Sequence, residues 1–180
     1  MNFHHSISAV VSNHESTSFL FGTGKISKPE QTLLKKNDYI LLAQLDERTI
    51  PNLNMTREKK IIQLFVQQDQ PNKVKVLVKS IPEWEQATYQ HPINPSYCAV
   101  PLTFLSEDEE QEGGIQLFGE PYFINASRKS SQDLLLFQYD PLAVETGYFH
   151  HYDGVIGYFI PKEDYLKGDF HAVYAVVDRL

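Results

Sequence analysis

Two stretches of the chain carry one pattern of apolar and polar positions. Leu41-Leu42-Ala43-Gln44-Leu45-Asp46 and Leu135-Leu136-Phe137-Gln138-Tyr139-Asp140 each set one glutamine in an apolar run and close on an aspartate. An offset of 94 residues, from Gln44 to Gln138, relates them. The same offset carries Ile61-Ile62-Gln63-Leu64-Phe65-Val66 onto Val155-Ile156-Gly157-Tyr158-Phe159-Ile160. Leu20-Phe21-Gly22 matches Leu117-Phe118-Gly119 at 97, and Val74 to Val78 matches Ala172 to Val176 at 98. The drift falls between the runs, where loops accept insertions. The pattern predicts an internal duplication with a period near half the chain.

Most of these runs read as strands. In the first half they are Ile7 to Val11, Phe19 to Phe21, Tyr39 to Leu45, Ile61 to Val66 and Lys73 to Lys79. Tyr39 to Leu45 is almost continuously apolar, which predicts a strand buried on both faces. Lys73 to Lys79 alternates, with Val74, Val76 and Val78 toward a core and the lysines toward water. The second half offers Leu102 to Leu105, Ile115 to Phe118, Leu134 to Tyr139, Val155 to Ile160 and Ala172 to Val177. Gln31 to Lys36 predicts one helical turn. Pro161-Lys162-Glu163-Asp164 predicts a helix start, with Gly168 as its stop.

Pro82, Pro92, Pro95 and Pro101 mark a connector, with Trp84 and Tyr89 pinning it to the core. The expected organisation is a single domain over 1–180: half one 1–80, connector 81–101, half two 102–180. The expected fold class is mainly β (α+β with few short helices). Two β-rich halves in mostly antiparallel sheets would pack about a pseudo-two-fold axis.

The 180 residues suffice for one sizeable core. Ten Tyr and eleven Phe suit half-buried strands. The net charge of −7 argues against nucleic acid, whose phosphates need clustered Lys and Arg. It suits steering toward a basic protein partner. The one basic cluster, Arg57-Glu58-Lys59-Lys60, reads as a solvated turn. Cys98 is the only cysteine, which fits a reducing compartment, and its default is a buried structural thiol. No apolar run has the length of a membrane span or a signal sequence. The reading is a cytoplasmic protein without membrane association.

Gln44 and Gln138 need partners for both amide functions if buried; neighbouring backbone across the pseudo-axis is the expected source. Asp46 and Asp140 read as strand-exit residues that bond the following turn. As a pair they could instead do acid–base work or hold a metal. His150-His151-Tyr152-Asp153 holds the most suggestive chemistry, since two His and an Asp can ligate zinc or iron from a loop. Against this stands an ordinary polar, aromatic loop. Gly22-Thr23-Gly24-Lys25 lacks phosphate-loop spacing and reads as a hairpin turn. No motif implies a cofactor, and none marks a catalytic residue.

Several blocks, in order, resemble the YwqG-like family of bacterial proteins of unknown function. They are Leu41 to Asp46, Ile62 to Val66, Phe118-Gly119-Glu120-Pro121-Tyr122-Phe123-Ile124, Leu134 to Asp140, Tyr152 to Ile160, and Pro161 through Phe170. Phe21-Gly22-Thr23-Gly24-Lys25 stands where that family tends to carry Gly-Gly-x-Pro, and His151-Tyr152-Asp153 where it often has Trp-Gly-Asp. The resemblance implies a β-rich duplicated fold and brings no established activity.

Two functional readings follow. The preferred one is a non-enzymatic protein-binding module, immunity-like or regulatory. Its contacts would be the acidic run Glu107, Asp108, Glu109, Glu110 and the aromatic pair Tyr148, Phe149. The alternative is a small-ligand or metal-binding enzyme with its site in a cleft between the halves, using Asp46, Asp140, His150, His151 and Asp153.

Overall fold

In a computed structural model, the residues described are 5–53, 55–67, 69–91, 98–105, 114–123, 133–141 and 154–179. They form a mainly β chain with antiparallel sheets and three helices. The chain divides into two compact units, Val11–Thr103 and Met1–Val10 with Phe104–Leu180. No helix among the described residues is long and apolar enough to cross a membrane.

The Val11–Thr103 unit contains β2 (Phe19–Leu20), β3 (Gly24–Ile26), α1 (Lys28–Lys36), β4 (Tyr39–Asp46), β5 (Lys60–Gln67) and β6 (Gln70–Ser80). After these come α2 (Ile81–Gln86), β7 (Tyr89–His91) and most of β8 (Val100–Phe104). Its sheet runs β8-β2-β4-β5-β6, and β3 and β7 form a separate pair. β4 and β5 are buried along almost their whole length, as the unbroken apolar run predicts. Ile26, Leu34, Leu41 and Phe65 make a core cluster, with Phe19, Tyr39 and Leu77 packed against it.

α1 is longer than the single turn expected, and its start has a clear cause. Ser27 accepts from the Glu30 N–H, the Glu30 carboxylate accepts from the Ser27 N–H, and Pro29 sits in the first turn. α2 begins the same way, with Ser80, Pro82 and Glu83. Ser-x-Pro-Glu therefore occurs twice, and the second copy makes a helix inside the stretch expected to be only a connector. Trp84 is half-buried there, while Tyr89 is 38% exposed and pairs with Ile26 in the β3–β7 ladder. Cys98 is exposed rather than buried, because it precedes β8 in irregular chain.

The other unit contains β1 (Ile7–Val11), apart from its last residue, followed by β9 (Ile115–Leu117), β10 (Leu134–Tyr139), β11 (Gly154–Ile160), α3 (Lys162–Lys167) and β12 (Tyr174–Arg179). Its strands run β1-β9-β10-β11-β12. α3 ends at Gly168 in the left-handed region, as expected. Tyr165 anchors α3, edge-on to Phe118 at 5.6 Å and to Phe170 at 5.7 Å.

Internal details of the two units correspond. β4 shifts register against β5 between Leu41 and Ala43, and β10 against β11 between Leu135 and Phe137. The extra residues, Leu42 and Leu136, bend each strand. Phe21 and Gly22 have φ of 54° and 75°; Phe118 and Gly119 have 57° and 66°. A Cβ on Gly22 would fall 2.6 Å from the Ala99 Cβ, and one on Gly119 would collide with Ser6. Each glycine is thus required twice over, by its dihedral and by the chain against it. The preceding phenylalanines are buried and held by backbone bonds, Phe21 N–H to Leu42 O and Phe118 N–H to Leu135 O.

Candidate functional site

The polar residues that sequence reasoning singled out in β4 belong to one connected cluster in the Val11–Thr103 unit. Gln44 and Gln63 stand directly opposite each other in the β4–β5 ladder. Gln63 Nε2 donates to Gln44 Oε1 at 2.9 Å and to the Lys25 carbonyl at 3.1 Å. Trp84 Nε1 also donates to Gln44 Oε1, at 3.3 Å, and Lys25 Nζ sits 4.7 Å above the Trp84 ring. Gln44 Nε2 donates to the Thr17 carbonyl at 2.8 Å. The expectation that Gln44 satisfies backbone is met, but its partners lie within its own unit. Gln63 Oε1 has no hydrogen-bond partner among the described residues.

Gln138 is also fully buried, with a sparser environment. Its Oε1 accepts from the Tyr122 N–H at 3.0 Å, and its Nε2 has no partner among the described residues. The residue opposite it on β11 is Gly157, where β5 has Gln63.

Asp46 closes β4 and is buried. Arg48 grips it through Nε at 3.0 and 3.1 Å and Nη2 at 2.7 Å, and the Arg48 N–H adds a bond at 2.9 Å. Thr17 Oγ1 donates to it at 2.7 Å. Burial alone would raise the carboxyl pKa. The Arg48 and Thr17 bonds outweigh it and hold Asp46 below the usual carboxylate value. This matches the strand-exit reading, in which the side chain bonds the following turn.

Because the folded pKa is depressed, ionised Asp46 stabilises the fold above the unfolded-state pKa, and that contribution fades as pH falls through the folded one. Asp46→Asn is therefore expected to lower the melting temperature at neutral pH. The gap from wild type should narrow steadily below about pH 4. A gap independent of pH would show that the ionised form carries no special stabilisation.

Neighbouring Glu47 is buried too, which the sequence did not suggest. Arg57 donates to both its oxygens at 2.8 Å, and the Lys60 N–H adds a bond at 2.7 Å. Arg57 is only 13% exposed at the side chain, so the supposed solvated turn contains a half-buried cation. Lys79, expected to face water, is likewise buried. It holds Glu30, in the first turn of α1, at 2.7 and 2.8 Å. Glu30 is partly desolvated, which would raise its pKa; the Lys79 and Ser27 bonds bring it below the usual value.

Asp140 follows β10, half-buried, and its N–H donates to the Gly114 carbonyl at 2.9 Å. It belongs to a different unit from Asp46. His150, His151, Asp153, the acidic residues Glu107, Asp108, Glu109 and Glu110, and the aromatics Tyr148 and Phe149 all lie outside the described residues. Among the described residues no group of three or more His, Cys, Asp or Glu is placed to hold a metal. No family model matches the chain, and no curated protein matches it.

Proposed function

We propose that the chain is a non-enzymatic protein-binding module, immunity-like or regulatory, whose partner is a basic protein. The observation that carries this reading is the state of Asp46. Asp46, one of the candidates for acid–base work, is held as an anion by Arg48 and Thr17, and serves the turn that follows β4. A general acid or base needs a pKa near the working pH, and this carboxyl is moved away from it. The net charge of −7 supports electrostatic steering of a cationic partner. The acidic run 107–110 with Tyr148 and Phe149 supplies the proposed contact.

The proposal includes an internally duplicated chain with YwqG-like kinship, working in a bacterial cytoplasm. The matched strand orders, the bulges at Leu42 and Leu136 and the paired Phe-Gly turns support the duplication. The order of the sequence blocks supports the kinship, and the single cysteine supports the compartment.

Affinity capture from native lysate at low salt, with mass spectrometry of proteins and metals, tests the function. The expected result is one basic protein at near-equal amount, released by salt and lost when Glu107, Asp108, Glu109 and Glu110 are replaced by Lys. Stoichiometric zinc or iron, lost in a His151→Ala, Asp153→Ala variant, would instead establish the metal-enzyme alternative and overturn the binding-module reading.

A further inference from the structure

A recess of about 520 Å³ opens in the Val11–Thr103 unit, where the first turn of α1, the end of β6 and the α2–β7 junction meet. That volume lies within the range of small-molecule sites. Val78 and Ala87, both half-buried, give it apolar surface, and Tyr89 stands beside them, 38% exposed. Its charged residues are two lysines, Lys28 and Lys79, and two glutamates, Glu30 and Glu83. Their formal charges cancel. An anion entering the recess meets Glu30 and Glu83, and a cation meets Lys28 and Lys79. Neither gains the one-signed field that ion-binding sites need.

We infer that this recess binds a neutral, polyhydroxylated ligand: a mono- or disaccharide. A vicinal diol both donates and accepts hydrogen bonds, so it matches a lining that offers both in alternation. Lys79 is buried with its ammonium against both oxygens of Glu30, and this fixes a donor and an acceptor side by side. Glu83 supplies a second carboxylate. It is held below the usual pKa by bonds from Ser80, both to its Oε2, and the residue is exposed. Gln86 and Thr88 add neutral donors and acceptors at the rim. The C–H face of a pyranose is apolar and packs on an aromatic ring, which is the place for Tyr89. The inference does not depend on the proposed protein partner, whose contacts are assigned to other residues.

Saturation-transfer NMR on the full chain tests it. The probes are glucose, galactose, mannose, N-acetylglucosamine, maltose and lactose, with inorganic phosphate and arginine amide as charged competitors. At least one sugar should bind saturably, with weak affinity typical of a shallow polar site. Tyr89→Ala should weaken binding about tenfold while leaving the melting temperature unchanged. Tyr122→Ala, at an exposed tyrosine in the other unit, should leave binding intact. Saturable binding by none of the six sugars overturns the inference. So does sugar binding that is equal in wild type and Tyr89→Ala, or a site filled by phosphate or arginine amide in preference to sugar.

Discussion

Replacing Arg57 with Met is expected to destabilise the fold by about 3–5 kcal/mol. The guanidinium is the bidentate partner of Glu47, a fully buried carboxylate that also takes the Lys60 N–H. Removing the cation takes two charge-assisted hydrogen bonds from a carboxylate that is fully buried. The desolvation of the buried carboxylate is then no longer offset by the guanidinium, and that is the dominant cost. The double variant Glu47→Leu, Arg57→Met removes both charges and should recover most of the loss, at the cost of one unpaired Lys60 N–H. Urea denaturation of the wild type, both single variants and the double variant closes the cycle. If Arg57→Met alone costs under about 1 kcal/mol, the pair behaves as a surface salt bridge and the buried-pair reading fails.

This ion pair also marks where the sequence was hard to read. Runs of apolar residues announced β4, β5, β10 and β11, because a strand buried on both faces cannot carry polar alternation. Gly168 announced the end of α3, because few other residues take the left-handed conformation cheaply. Charged residues gave no such signal. Arg57 sits in a cluster that looks solvated, and Lys79 shares its alternating face of β6 with Lys73 and Lys75, with Leu77 between. Their burial depends on Glu47 and Glu30, which lie 10 and 49 residues away in sequence. A long-range partner leaves no mark on local pattern.

The helix starts were legible and were missed. Ser27-Lys28-Pro29-Glu30 and Ser80-Ile81-Pro82-Glu83 both carry the capping-box spacing, with proline where the first turn tolerates it. Proline breaks a helix in its interior but starts one in its first turn, so the same residue reads both ways. At the candidate site, the position of Asp46 at a strand exit was readable. Its engagement by Arg48 and Thr17 was not, since Thr17 lies 29 residues upstream.

The two glutamines should respond unequally to the same substitution. Gln44→Leu keeps the volume roughly and removes the acceptor for Trp84 Nε1 and one acceptor for Gln63 Nε2. It also removes the donor to the Thr17 carbonyl. Gln63 Nε2 retains the Lys25 carbonyl, so the expected loss is about 2–3 kcal/mol rather than the sum of three orphaned groups. Gln138→Leu removes one acceptor, from the backbone of the exposed Tyr122, where water can substitute. It also deletes a buried Nε2 that bonds nothing among the described residues. Loss and gain nearly offset, and the change should stay within about 1 kcal/mol. Denaturation midpoints of the two variants decide the matter. A Gln138→Leu penalty as large as that of Gln44→Leu would mean that its amide has an acceptor after all. An unequal outcome would follow from what stands opposite each glutamine: β5 supplies an amide opposite Gln44, and β11 supplies only the hydrogen of Gly157 opposite Gln138.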